Sequence, residues 1–199
     1  MPALGLAAKQ LYMLTKAENI SLTVEWIPRE LNKLADQLSK TPDKDDWQLN
    51  PRFFAALNQL WGPHDLDAFA SAQNALLPRF WSRFPAPGAA GTDAFEQVWS
   101  GLNLWMNPPF GLIGRILVKA AEEKAVATIV VPAWKNRPWW PILQPSPNSW
   151  AKFVVDVRPL PRTDSTFRPG QSQGNARGTG PVPWQCFALR LDFRSAGLH

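Results

Sequence analysis

The sequence predicts an α/β fold in which a largely parallel sheet is covered by helices. Strand-like and helix-like segments alternate between Asn50 and Pro132, the pattern that crossover helices between parallel strands produce. The run from Ala125 to Pro132 is apolar almost throughout, as a strand covered on both faces requires. Apolar residues make up 45% of the 199 positions, enough to build a core of that kind plus an appendage.

Taken in order, an apolar helix is expected over Leu4 to Thr15, a strand over Ser21 to Trp26 and an amphipathic helix over Leu31 to Ser39, with Leu31, Leu34, Ala35 and Leu38 on its apolar face. Residues 1–40 form one region. The stretch Thr41 to Asp46 is rich in Asp, Pro and Lys, a turn and solvated-charge composition, so residues 41–50 read as a linker and 51–199 as the main domain. Asn50 and Pro51 supply a cap and a first helical residue for a helix carrying Phe53, Phe54, Leu57 and Leu60 on one side, expected to cover the first strand of the sheet. That strand is placed at Asp65 to Phe69 and is succeeded by a loop-rich region up to Gly101.

Leu102 to Met106 reads as the next strand, and Leu112 to Lys124 as a helix with Ile113, Ile116, Leu117 and Ala120 at helical spacing. Beyond the apolar strand, Arg137 to Leu143 forms a short helix, and Phe153 to Val157 and Trp184 to Phe193 form strands. Between the last two, residues 158–183 are dominated by Gly, Pro, Ser and Gln with Arg158, Arg162, Arg168 and Arg177 among them. Such a segment buries no core of its own. It is either a basic loop that contacts phosphates or a passive connection.

Directly after the strand Leu102 to Met106 comes Asn107-Pro108-Pro109-Phe110. Consecutive prolines fix φ and bias the residue before them to extended backbone, so the carbonyls are set before a substrate arrives. An Asn side-chain oxygen and the Pro108 carbonyl can accept the two hydrogens of an exocyclic amine, drawing its delocalised lone pair back onto nitrogen. Phe110 offers a face on which a base can stack. Without such a role the tetrapeptide is a strand stopped by a Pro-Pro turn.

A strand ending in Asn-Pro-Pro-aromatic resembles the catalytic signature of enzymes that methylate amino groups of bases. Upstream stand Asp65-Leu66-Asp67-Ala68-Phe69-Ala70-Ser71, Asn74, Asp93 in Gly91-Thr92-Asp93-Ala94-Phe95, and Trp99. In this order the segments resemble the Dam-like DNA adenine methyltransferases of phages. The resemblance implies a Rossmann-like sheet, S-adenosylmethionine as methyl donor and DNA as substrate, its adenine taken out of the duplex. It assigns Asn107, Pro108, Pro109 and Phe110 to catalysis, and Asp65, Asp67 and Ala68, at the close of the first strand, to the cofactor together with Asp93. The chain departs from a dinucleotide fold in having no G-x-G-x-x-G loop after a strand; Gly174, Gly178 and Gly180 fall in the polar segment. Asp93 also suits a plain turn or helix cap.

The stretch Leu22 to Ser39, with Asn32-Lys33-Leu34-Ala35-Asp36, resembles the last strand and helix of a retroelement ribonuclease H domain. That resemblance makes Asp36 a metal ligand whose partner carboxylates are missing, so no hybrid cleavage is expected. A ribonuclease H remnant leading into a Dam-like domain is the order of DIRS-type, tyrosine-recombinase retrotransposon polyproteins, which implies an upstream reverse transcriptase and ribonuclease H as partners. The phrases Arg79-Phe80, Val131-Pro132-Ala133-Trp134 and Pro138-Trp139-Trp140-Pro141 extend the likeness.

The net charge of +5 permits attraction to phosphate backbones. One cysteine, Cys186, excludes an internal disulfide and fits a reducing compartment, and it is expected in the core. His64, His199 and Cys186 are too few for a structural zinc site. Met1 to Gln10 lacks a signal-peptide pattern and no apolar run spans a membrane, so an intracellular chain, in nucleus or cytoplasm, is expected. Of eleven tryptophans, Trp134, Trp139 and Trp140 are placed to line a pocket. Two rival readings stay open: a degenerate methyltransferase fold that binds nucleic acid without catalysis, and an accessory segment of the reverse transcriptase and ribonuclease H.

Overall fold

The computed structural model describes residues 48–168 and 182–195, with Met13 and Lys16 besides. The chain divides into two units, Met1–Thr41 and Pro42–His199, and the fold below is that of the second. Apart from Met13, the elements expected over 4–15, 21–26 and 31–39, Asp36, the linker residues 41–46, Arg177 and the glycines from 174 to 180 lie outside the described residues.

Nine strands form in chain order: β1 (Gln48–Leu49), β2 (Leu66–Ala70), β3 (Phe80–Ser82), β4 (Gly91–Thr92), β5 (Asn103–Met106), β6 (Val126–Pro132), β7 (Val154–Pro159), β8 (Phe167–Arg168) and β9 (Cys186–Asp192), counted among the described residues. Seven of them make one sheet in the order β4-β3-β2-β5-β6-β9-β7. Strands β4, β3, β2, β5 and β6 run parallel, and β9 lies antiparallel between β6 and β7. The five parallel strands follow the 3-2-1-4-5 order of doubly wound sheets, whose direction of winding reverses between β2 and β5. A separate two-stranded ribbon pairs β1 with β8.

Helix α1 (Pro51–Trp61) starts where predicted: the Asn50 side chain accepts from the Arg52 N–H at 3.0 Å, with proline in the first turn. It stops at Gly62, where an added Cβ would stand 2.3 Å from the Asn58 carbonyl oxygen, so no other residue fits this close approach. Its buried side is Phe54, Leu57 and Trp61, and Leu60, expected inward, is 51% exposed. The helix also covers different strands from the one expected. Phe54 packs edge-on against Trp105 of β5, 4.8 Å between ring centroids, and the same cluster takes in Val130 of β6 and Ala188 of β9 rather than β2.

Helix α2 (Ile113–Glu122) buries Ile113, Ile116, Leu117 and Ala120 on the other face, against Leu104, Met106, Ile129, Leu189 and Leu191. Each large side chain so buried stabilises the fold by roughly 1.5–3 kcal/mol. The alternation Leu104, Trp105, Met106 along β5 thus feeds two cores on opposite faces. Helix α3 (Trp140–Leu143) is shorter than the expected segment from Arg137.

Between β2 and Gly101 the chain is more ordered than its composition suggests. The two short strands β3 and β4 extend the sheet there, held by ladder pairs Asp67 with Phe80 and Trp81 with Gly91. Among the described residues no helix is long and apolar enough to cross a membrane.

Candidate active site

Because the five strands from β4 to β6 are parallel, their C-terminal ends meet along one edge of the sheet. That edge gathers Ser71 and Asn74 after β2, Arg83 after β3, Asp93 after β4, Asn107 to Phe110 after β5 and Ala133 with Trp134 after β6. In doubly wound sheets the ligand crevice opens at this edge, where the winding reverses. The segment Asn107-Pro108-Pro109-Phe110 leaves the sheet at that point. Pro108 is buried, Asn107, Pro109 and Phe110 are half-buried, and a 3-10 turn at Phe110–Leu112 carries the chain straight into α2.

Asp93 has a φ of +50°, an unusual value for a residue with a side chain, found where surrounding structure holds the backbone. Its N–H donates to the Ser82 carbonyl at 2.8 Å, which ties β4 to β3. One carboxylate oxygen, Oδ1, accepts from the Phe95 N–H at 3.0 Å, so the capping role is real; Oδ2 has no protein partner among the described residues. The neighbouring loop is equally well tied. Asn74 Oδ1 accepts from the Ser71 N–H, Asn74's carbonyl accepts from Gln48 Nε2 at 2.7 Å, and Asp67 Oδ2 accepts from the Leu76 N–H at 3.0 Å.

The two aspartates expected to close β2 instead open it. Asp67 is its second residue, 3% exposed, and its carboxylate fastens the loop from Ser71 to Arg79 from within. Asp65 precedes the strand: its Oδ2 accepts from the Asn103 N–H at 2.7 Å, level with the first residue of β5. Asn107 directly follows the last residue of β5, four residues further on, about 13 Å at the rise of a parallel strand. Asp65 therefore lies at the opposite edge from Asn107 and does not reach the crevice. Ala68 is 1% exposed in the core shared with α2, beneath the crevice rather than in its wall.

Three rings gather over the proline segment. Phe110, Trp134 and Trp184 meet edge to face, with centroids 5.2 Å apart for Phe110 and Trp134, 5.2 Å for Trp134 and Trp184, and 6.4 Å for Phe110 and Trp184. Trp139 and Trp140, expected beside Trp134 in a pocket wall, are buried core residues, and Trp140 packs on Trp150 and Phe187. Trp184, which sequence reasoning does not single out, takes the place beside Trp134 because β9 inserts next to β6 and brings its leading residues to the same edge. Beneath it Cys186 is buried as expected, and burial pushes its thiol up to about 12.

The described residues of the basic segment are tied to the fold. Arg158 lies within β7 and pairs with Asp156 at 3.0 Å, Arg162 donates to the Pro183 carbonyl at 3.1 Å, and Arg168 belongs to β8. No group of three or more His, Cys, Asp or Glu residues able to hold a metal ion occurs among the described residues.

The family model for DNA N-6-adenine-methyltransferase (Dam) matches residues 37–148, a span that includes both the Asp93 turn and the Asn107 segment. A curated relative, the DNA N-6-adenine-methyltransferase of Escherichia phage T1, is 30% identical over 88 residues. That alignment covers 43% of this chain and 34% of the relative, so the chain spans about a third of its length.

Proposed function

As this chain belongs to the DNA N-6-adenine-methyltransferase (Dam) family, we propose that it transfers a methyl group from S-adenosylmethionine to the exocyclic amine of adenine in DNA. The observation that carries this reading is the emergence of Asn107-Pro108-Pro109-Phe110 at the reversal point of the sheet, on the same edge as Asp93 and the Ser71–Asn74 loop.

The residues on that edge fit the donor in their chemistry. S-adenosylmethionine carries no phosphate, so the glycine-rich loop that dinucleotides need against their pyrophosphate is not required. Its ammonium and ribose hydroxyls call for a carboxylate, a hydroxyl and an amide, which Asp93, Ser71 and Asn74 supply, Asp67 acting through the loop it fastens. When bound, the cofactor supplies an electrophilic methyl carbon on a cationic sulfur.

The chain's own part is to prepare the amine. Asn107 Oδ1 and the Pro108 carbonyl accept its two hydrogens, which pulls the nitrogen towards tetrahedral geometry and makes its lone pair available. Proline at 108 and 109 restricts this backbone in advance, which lowers the ordering cost of the reacting arrangement. Phe110, held by Trp134 and Trp184, gives the extruded base a ring to lie on.

The likeness of Leu22 to Ser39 to the end of a ribonuclease H domain supports a polyprotein setting of the DIRS retrotransposon kind, with reverse transcriptase upstream. Asp36 belongs to that reading alone. The central test is calorimetric titration with S-adenosylmethionine, then methyl transfer to mixed-sequence duplex DNA and mass analysis of the nucleosides. Micromolar binding and N6-methyladenine support the proposal; DNA binding without cofactor binding assigns the chain to a non-catalytic nucleic-acid module.

A further inference from the structure

We propose that the turn Trp134-Lys135-Asn136-Arg137 is the part of the crevice that grips the DNA strand next to the target adenine, with Lys135 and Arg137 on phosphates. This rests on the methyltransferase reading of the site and adds to it the side from which the substrate is held.

The turn overhangs the site. In the β5–β6 ladder Met106 is level with Ile129, and β6 runs on to Pro132, three residues or about 10 Å further. The chain beyond β6 therefore stands above Asn107-Pro108-Pro109-Phe110, and the Phe110–Trp134 ring contact at 5.2 Å fixes the two together. The residues Ala133 to Arg137 line a shallow depression at that point.

The turn is also built to stay put. The Trp134 N–H donates to Pro132 at 2.9 Å, Lys135 to Ala133 at 3.2 Å, Arg137 to Trp134 at 3.0 Å and Trp140 to Arg137 at 3.0 Å. The Arg137 guanidinium lies over the Trp134 ring, 5.3 Å from its centroid, so its stem is held while the donors remain exposed.

The turn is also positively charged. Lys135 and Arg137 are exposed and neither pairs with a carboxylate among the described residues, in contrast to Lys119, Arg158 and Arg194, each bound to an acid. From Lys124 to Val155 the sequence has no Asp or Glu at all, but carries Lys124, Lys135, Arg137 and Lys152. Two unpaired cations beside an aromatic cluster, at the mouth of a crevice that must receive an extruded base, match a phosphodiester backbone with a stacked base.

The test compares the parent chain with the double variant Lys135→Gln/Arg137→Gln on sheared duplex DNA of mixed sequence. Three quantities are read: the S-adenosylmethionine dissociation constant, the KM and kcat for DNA methylation, and the salt dependence of DNA binding. The expected result is a KM for DNA raised about tenfold or more and a log-log salt slope reduced by about 1.8, since each phosphate no longer neutralised takes roughly 0.9 from the slope. Cofactor affinity and kcat at saturating DNA stay at the parent's values. The charge-keeping swap Lys135→Arg/Arg137→Lys restores the slope. An unchanged KM and slope in the Gln variant overturns the proposal. If the parent neither binds cofactor nor methylates DNA, the methyltransferase reading fails by itself, and the salt slope of binding still decides for or against the turn.

Discussion

His64 and Thr128 meet across the packing of α1 on the sheet, with imidazole Nε2 2.7 Å from the Thr128 hydroxyl oxygen. On the other side of the ring, Nδ1 lies 2.6 Å from Asn58 Oδ1, which also accepts the His64 backbone N–H at 2.9 Å. Nδ1 therefore carries a proton, and the neutral ring, which burial favours, accepts the threonine hydroxyl at Nε2. Burial first, and the charge of Arg190 second, bring the His64 pKa down from 6.5 to about 4, against an opposing pull from Asp65.

This buried ring gives stability a pH dependence of definite sign. The folded-state pKa lies below the unfolded value, so the unfolded chain binds the extra proton between these values. The stability His64 contributes is fully present above about 6.5 and is lost as pH falls towards 4. Glu123 and Asp192, whose carboxyls are also held below their ordinary values, act lower in pH and do not fill this window. Urea midpoints between pH 7.5 and 4.5 should fall more steeply for the parent than for His64→Gln, the gap reaching on the order of 2–3 kcal/mol. Parallel curves would show that the ring is not a buried neutral base.

Cys186 provides a second measurement. With its thiol near 12, only about one molecule in 10,000 is thiolate at pH 8. Iodoacetamide should leave the native chain unmodified over hours and label it within minutes in urea. Rapid labelling without denaturant would mean that Trp184 and the strand beneath it open to solvent.

The motif at Asn107 is legible in the sequence because it is contiguous and its proline pair forces its own backbone, and α2 because four apolar residues repeat at helical spacing. Strands β3 and β4 are not, since two or three residues show no period and depend on the neighbours that pair with them. The order of Asp65 and Asp67 in the chain suggests a strand end, but the edge a residue faces depends on the direction of its strand, and here both stand at the start. Sequence order likewise sets Trp139 and Trp140 closer to the site than Trp184: proximity along the chain is local, and the insertion of β9 beside β6 is not.

If Leu22 to Ser39 is read as the end of a ribonuclease H domain, Asp36 is the one metal-binding carboxylate that this reading assigns, and a two-metal centre needs several, so the chain should leave an RNA–DNA hybrid intact in millimolar magnesium. Cleavage that vanishes in Asp36→Asn would overturn this.

Asn107→Ala should separate chemistry from binding. Removal of one preorganised acceptor for charge developing on the amine costs roughly 3 kcal/mol, or about a hundredfold in kcat, while the S-adenosylmethionine dissociation constant stays put. Equal methyl incorporation by mutant and parent would reduce the segment to a proline-stopped strand.

The aspartates should behave differently from one another, because they stand at different places on the sheet. Asp93→Ala removes a carboxylate at the crevice with one oxygen unused by the described residues, and should weaken S-adenosylmethionine binding by about 1.5–3 kcal/mol, the worth of a charge-assisted hydrogen bond. Asp65→Ala, at the other edge, should leave that affinity unchanged and lose the exposed bond to Asn103. Asp67→Ala strips the Leu76 N–H of its acceptor inside the protein, so it should lower the unfolding free energy by about 1–3 kcal/mol and weaken cofactor binding only through the slackened Ser71–Asn74 loop. Calorimetry on the three variants, with urea unfolding alongside, checks all of this. A loss of affinity in Asp65→Ala equal to that in Asp93→Ala would contradict a cofactor bound at the C-terminal edge of the sheet.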